Sequence, residues 1–330
     1  MSICLRRREF IAGLGGAAAW PLAARAQRPA IPVIGYLGVR SAATDASYVE
    51  AFRQGLSENG FIAGRNVQIE FHWANNPANQ RATLPGLVAE LVRRRVNLIV
   101  SAGGDAVPRA AKAATATIPI VFSTGGDPVK NGLVTSLNRP GGNLTGVTTL
   151  TRDLEAKRLG LLADAVPKVT AIAYLAPDAP NVSQTADLQE AARTIGRELF
   201  VLNVRSERDI EGLFSTMMQY GIGAFLVSGG FSGLSPGLLT ALATRHGLPA
   251  LYPMREFATI GGLMSYGASF TTMYHQVGVY AGRILKGANP AELPVMQPIK
   301  FEFVINLNAA KALGITIPAG VLAIADEVIE

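Results

Sequence analysis

The sequence predicts an α/β protein of two doubly wound lobes with parallel sheets, joined by a hinge. Three observations carry this reading. Short apolar, β-branched runs alternate with longer runs whose apolar residues recur at helical spacing, the mark of βαβ units. The alternation occurs twice along 330 residues, more than one compact core usually accommodates. A further helix and strand then follow two finished runs, so the chain must cross back between the lobes.

In chain order, IPVIGYL (31–37) reads as a buried strand and SYVEAFRQGLSEN (47–59) as a helix. NVQIEFHWA (66–74) alternates as a strand does. RATLPGLVAELVRR (81–94) is a helix with Pro85 placed in its first turn. VNLIVS (96–101) and IPIVFS (118–123) are strands flanking the helix DAVPRAAKAAT (105–115), and NLTGVTT (143–149) closes the first half. The second half repeats the plan. Helices at 153–166, 183–196, 207–221 and 235–247 alternate with strands at 170–176, 199–204, 223–228 and 248–252. The tail adds the strand GGLMSYG, a long helix at 269–287, a Pro-rich link and the strand IKFEFVINL with a short helix after it. The expected lobes are 31–148 with about 268–292, and 149–267 with about 293–330.

Residues 1–26 stand apart as an export signal. A basic cluster precedes the apolar, glycine-rich run IAGLGGAAAWPLA, and Ala24-Arg25-Ala26 forms a small-x-small cleavage site. Arg7-Arg8-Glu9-Phe10-Ile11 fits a twin-arginine signal, and the mild hydrophobicity of the run favours that route over the general one. The mature chain would begin near Gln27, in the periplasm.

Cleavage also changes the charge argument. The formal net charge of +6 falls to +3, because Arg6, Arg7, Arg8 and Arg25 leave with only Glu9. No remaining stretch interleaves Lys and Arg with aromatics, so nucleic acid is not an expected partner. No later run reaches the roughly 18–20 apolar residues that span a bilayer. The one cysteine, Cys4, precedes the arginines and would be lost with the signal. The mature chain is thus expected to have no disulfide, no thiolate nucleophile and no Cys-ligated metal.

Three glycine pairs end predicted strands: Ser101-Ala102-Gly103-Gly104-Asp105, Ser123-Thr124-Gly125-Gly126-Asp127 and Ser228-Gly229-Gly230-Phe231. Beyond the carboxyl ends of parallel strands lies the crevice where ligands bind, and glycine permits close backbone approach there. Each pair taken singly also fits a tight strand-to-helix turn; three on one predicted edge favour a cleft. A nucleotide cradle fits less well. No G-x-x-x-x-G-K-[ST] occurs, and the G-x-G-x-x-A from Gly13 to Ala18 lies in the export signal with no strand before it. His72, His246 and His275 are far apart with no H-E-x-x-H, and no G-x-S-x-G precedes a helix. Neither metal, cofactor nor catalytic residue is expected.

The segment GGDPVKNGLVTSLNRPGGNLTGVTTL (125–150) resembles the GDPV-x-x-GLV-x-SL-x-RPGGN-[IL]-TGV block of solute-binding proteins that serve ABC-type transporters, in the branch that includes aromatic amino acid binders. YPMREFATIGGLMSYG (252–267) and YAGRILKGANPAELPVMQPIKFEFVINLNAAKALGITIP (280–318) extend the resemblance over essentially the whole mature chain. It implies a type I periplasmic-binding fold: two Rossmann-like lobes, joined by three hinge crossings, closing over a small solute. The implied partners are that solute and a membrane permease, and the chain is expected to be a monomer.

The family's pocket draws on loops that here carry Arg40, Ser41 and Asp45; Gly103, Gly104 and Asp105; Thr124 and Gly125; Asp178 and Asn181; Ser228, Gly229 and Phe231; and Arg255. Ala176-Pro177-Asp178-Ala179-Pro180 and Ser228-Gly229-Gly230 depart from the family's common Asn-Pro and Asp-Pro patterns, so ligand-facing chemistry is expected to differ. Ser41, Gly104, Asp105 and Thr124 would offer hydroxyls and helix N-terminal amides to a carboxylate or other polar head. Asp105 and Asp127 also fit plain helix caps, with Pro128 at the first helical position. Asp178 suits an ammonium group or a turn. Arg255 suits a bidentate carboxylate clamp or a bond to the neighbouring lobe. Tyr252, Phe231 and Tyr266 offer aromatic walls, or core for the two tyrosines. An exported α/β enzyme acting on a small acid and a periplasmic sensor for a signalling receptor remain as alternatives.

Overall fold

A computed structural model describes residues 31–74, 80–149, 154–177, 182–229, 235–297 and 301–330. β1 (Val33–Gly38), β2 (Gln68–Trp73), β3 (Leu98–Ala102), β4 (Ile120–Thr124) and β5 (Leu144–Thr148) form one parallel sheet in the order β2-β1-β3-β4-β5. The alternation of side chains builds a core on each face. Ile34 and Tyr36 of β1 join Leu98 and Val100 of β3 on one side; Leu37, Ile99 and Phe122 face the other. Helix α1 (Ala46–Ser57) covers the first face; α2 (Gln80–Arg93) and α3 (Ala106–Ala114) cover the second.

The second sheet runs β12-β11-β10-β9-β8-β6-β7, from β6 (Ala171–Pro177), β7 (Glu198–Val204), β8 (Ala224–Val227), β9 (Ala250–Tyr252), β10 (Met264–Ala268), β11 (Phe301–Asn306) and β12 (Glu327–Ile329). Helices α4 (Glu155–Ala165) and α5 (Val182–Thr194) pack on one face. The other holds α6 (Ile210–Gln219), α7 (Pro236–Arg245) and the short α8 (Arg255–Thr259). In each sheet the strand order reverses once near its start, between β1 and β3 and between β6 and β8. Neighbouring loops diverge there and leave a crevice.

Two features depart from the expected parallel plan. β11 pairs antiparallel with β10, in the register Ala268↔Phe301 to Met264↔Ile305. The chain leaves the second lobe at Ala268 and returns beside the same point at Phe301, so the returning strand can only run back along its neighbour. β12 then adds an edge strand parallel to β11 that sequence periodicity does not announce, being three residues long. Nor does Asp127-Pro128 begin a helix. Asp127 accepts from the amides of Val129 and Lys130, but the turn ends at Gly132, where φ is +67°.

The link between the lobes is made by α9 (Phe270–Leu285), which leaves the second sheet, is N-capped by Ser269 and lies against α1 in the first lobe. Glycine sets the distance. A Cβ on Gly278 would stand 2.1 Å from the Phe52 carbonyl oxygen, and one on Gly55 2.0 Å from that of His275. Such helix contact is possible only with no side chain between the backbones. The following link returns to the first sheet, where Thr148 N donates to Met296 O, before the chain enters β11.

Candidate functional site

The cleft between the lobes is where both crevices meet. From the first lobe it is lined by Val39 and Arg40 after β1, Gly103 and Gly104 after β3, and Ser123, Thr124 and Gly125 at the end of β4. The second lobe contributes Gly229 after β8 and Pro253 and Met254 after β9; α9 contributes Phe270, Met273 and Tyr274. Gly103 and Gly104 have φ of +105° and +81°, and a Cβ on Gly103 would stand 2.4 Å from Val39 Cγ2. Only glycine lets β3 turn this close beneath the β1 loop.

One cation dominates the polar end. The Arg40 guanidinium donates through Nε to Asp45 Oδ1 at 2.5 Å, lies 4.7 Å above the centre of the Tyr48 ring and faces the Tyr274 hydroxyl. Asp45, just before α1, is 1% exposed. Burial raises its pKa, and Arg40 opposes that rise. Burial works against the Arg40 charge too, yet Tyr274, Asp45 and Tyr48 outweigh it and hold the guanidinium charged. Tyr48 and Tyr274 stack at 5.1 Å, and the Tyr274 hydroxyl also lies near Ser123. The result is a positive, donor-rich corner whose orientation is fixed by surrounding rings; the apolar body of the cleft is Val39, Pro253, Met254, Phe270 and Met273.

The Tyr48 hydroxyl of the first lobe faces Glu256 of α8 in the second. Burial first, and Glu256 next, raise the Tyr48 pKa, so this hydroxyl keeps its proton. Replacing Tyr48 with Phe keeps the ring stack and removes only the hydroxyl that faces Glu256. Solute affinity is expected to fall about 3- to 10-fold, the worth of one polar contact, with little change in melting temperature. Calorimetric titration with a bound solute checks it.

Arg40, Gly103, Gly104, Thr124, Gly125 and Gly229 thus line the cleft. Asp45 stands behind Arg40. Asp105, 8% exposed, has its carboxylate against the Thr124 hydroxyl, so it orients a lining residue and makes no side-chain cap on α3. Ser41 folds back on Thr44, their hydroxyls 3.1 Å apart, in a local turn. Ser228 is buried near Tyr174, beneath the Gly229 turn. Arg255 requires a correction. Its guanidinium pairs with Glu327 at 3.0 Å and Glu302 at 3.4 Å, acids of β12 and β11 in its own lobe, so it clamps the sheet edge and does not reach into the cleft. Tyr252, stacked on Phe257, is core. Asp178, Asn181 and Phe231 lie outside the described residues.

Sequence reasoning does not single out Ser123, Pro253, Met254, Phe270, Met273 or Tyr274. Phe270, Met273 and Tyr274 share one face at i, i+3 and i+4, a pattern that ordinarily means core. The same face does pack on Tyr48 of α1, and its outer margin opens on the cleft.

The family model described as ABC transporter substrate binding protein matches residues 39–329. A tyrosine-binding protein of Clostridioides difficile is 24% identical over 267 residues, covering 80% of this chain and 75% of that protein. A Streptococcus pneumonia ABC domain solved in complex with L-Trp has a TM-score of 0.77 at 25% identity, over 90% of this chain and 100% of that one. A conserved domain protein from Vibrio cholerae has a TM-score of 0.79 at 23% identity, over 90% and 99%.

Proposed function

The chain belongs to the ABC transporter substrate binding protein family, and from that premise we propose that it is the periplasmic solute-binding component of an importer, closing its lobes over an amino acid or small organic acid with an apolar body. The family is one of substrate-binding proteins rather than enzymes. The observation that carries the proposal is the pairing of a fixed Arg40 corner with an apolar wall drawn from both lobes and α9. A carboxylate meets charge-assisted donors at Arg40. A ring or aliphatic chain lies against Phe270, Met273, Met254 and Pro253. The relatives that bind tyrosine and L-Trp have ligands of this shape.

Binding works as a shift of population. Solute touches both lobes only when they are closed, so its preference for that form moves the protein toward the state a permease reads. Export fits the basic and apolar opening segment, with cleavage after Ala26. Native mass spectrometry of protein from a periplasmic extract is expected to find a retained small acid. A thermal-shift panel of L-tyrosine, L-tryptophan and aromatic carboxylates is expected to raise the melting temperature for at least one member. If no amino or organic acid shifts the melt at millimolar concentration, the binding reading fails.

A further inference from the structure

Behind the second-lobe wall of the cleft sits a charge pair that the binding site does not use directly. Glu155 and Arg158 lie one turn apart on α4, are 2% and 0% exposed, and approach to 3.3 Å between Oε2 and Nη1. A buried pair of this kind is a poor source of stability, because removing both charges from water offsets most of their attraction. Its partners are more informative than its energy.

Glu155 Oε1 accepts from the amide of Gly229 at 2.7 Å, and Gly229 lines the cleft. The Tyr174 hydroxyl lies near both Ser228 and Glu155. Arg158 Nε donates to the carbonyl of Tyr266 at 2.7 Å, on β10, three residues before Ser269 caps the helix that enters the other lobe. Between those points is Gly267, where a Cβ would stand 2.0 Å from the Pro253 carbonyl and 3.6 Å from Arg158 Nη2. Pro253 lines the cleft as well. Glu155 itself opens the first helix after the chain leaves β5. One ion pair therefore touches the turn at Gly229, lies beside the strand end that backs Pro253, and stands next to two of the chain's passages between lobes.

We propose that Glu155 and Arg158 are positioning residues that lock the cleft-lining turn at Gly229 to the passage after β10, and so set how far the lobes open and close. The proposal rests on the solute-binding reading and adds its mechanical link. A solute that draws Gly229 toward Arg40 moves the Glu155 carboxylate; Arg158 carries that displacement to Tyr266 and the start of α9. Because the pair is directional and each member also grips a backbone group, Glu155 the Gly229 amide and Arg158 the Tyr266 carbonyl, it transmits position in a way that apolar packing of the same volume does not.

The test needs no solute. Spin labels are placed on cysteines introduced at Arg65 and Lys311, exposed positions in the first and second lobe, in the full chain carrying Cys4→Ser. The double substitution Glu155→Leu with Arg158→Met removes both charges at similar volume and is expected to fold, melting within about 5 °C of the parent. Its inter-lobe distance distribution is expected to be at least twice as broad as the parent's. If the double variant fails to fold, Glu155→Gln takes its place: it keeps an acceptor for the Gly229 amide but loosens the grip on Arg158, and is expected to broaden the distribution by a smaller factor. A folded variant with the parent's distribution would overturn the proposal, since a merely structural pair would alter melting and leave lobe spacing alone. A solute panel that gives no binding bears on the function proposed above and leaves this distance measurement standing.

Discussion

Replacing Arg40 with Met is expected to lower solute affinity by about 100-fold, or about 2.7 kcal/mol, and to destabilise the protein by about 3 kcal/mol. The two effects have separate origins. Affinity falls because Arg40 is the charged side chain that the described residues present to the cleft, where its donors meet a developing contact shielded from water. Stability falls because Asp45, 1% exposed, loses the cation that opposes its desolvation. A second substitution separates them. Adding Asp45→Leu removes the orphaned carboxylate and is expected to restore most of the melting temperature while affinity stays low. Recovery of binding along with stability would show that Arg40 acts through folding alone, and that the polar end of the solute lies elsewhere.

Why this corner was only partly visible in sequence follows from how it is assembled. Arg40 and Asp45 sit in one loop, and the resemblance to solute-binding proteins points at that loop. Their partners do not share it: Tyr48 is on α1, Ser123 ends β4, and Tyr274 belongs to a helix that returns more than two hundred residues later. Periodicity gives the helix and its apolar face, and it also gives the alternating strands whose carboxyl ends carry the glycine turns. It does not say which neighbour that face meets, because a residue half on a core and half on a cleft has the same spacing as one wholly in the core. Gly103, Gly104 and Gly229 were legible as a set: each alone also fits a plain strand-to-helix turn, but all follow strands that flank the order reversal of their own sheet, where ligand crevices open.

Arg255 shows the opposite failure. An arginine just after a strand at the predicted ligand edge has the chemistry of a carboxylate clamp, and the carboxylates it found were Glu302 and Glu327 of the last two strands. Neither strand's place beside α8 is local information. β11 lies there because the chain re-enters where it left, and β12 only because β11 does. Long-range order in the tail therefore decides whether this guanidinium faces solute or sheet.

The same tail gives the second large effect. Gly278→Val is expected to destabilise the protein by about 3 kcal/mol or more, whereas Gly86→Ala, in the exposed interior of α2, is expected to stabilise it by about 1 kcal/mol. Both replace a helical glycine, and helix propensity alone favours the larger residue in each case. Space decides the sign. Nothing lies within 4 Å of a Cβ on Gly86, while one on Gly278 meets the Phe52 carbonyl at 2.1 Å and the Leu56 amide at 2.8 Å, backbone atoms that cannot swing aside as a flexible side chain would. α9 must then lift from α1, and the movement does not stay in the core. Phe270, Met273 and Tyr274 ride on the first turns of the same helix, so the wall of the cleft and the Tyr274 hydroxyl that faces Arg40 shift with it. Urea unfolding and solute titration of the two variants together check this: loss of stability with unchanged affinity in Gly278→Val would mean that the contact between α1 and α9 holds the lobe without positioning the site.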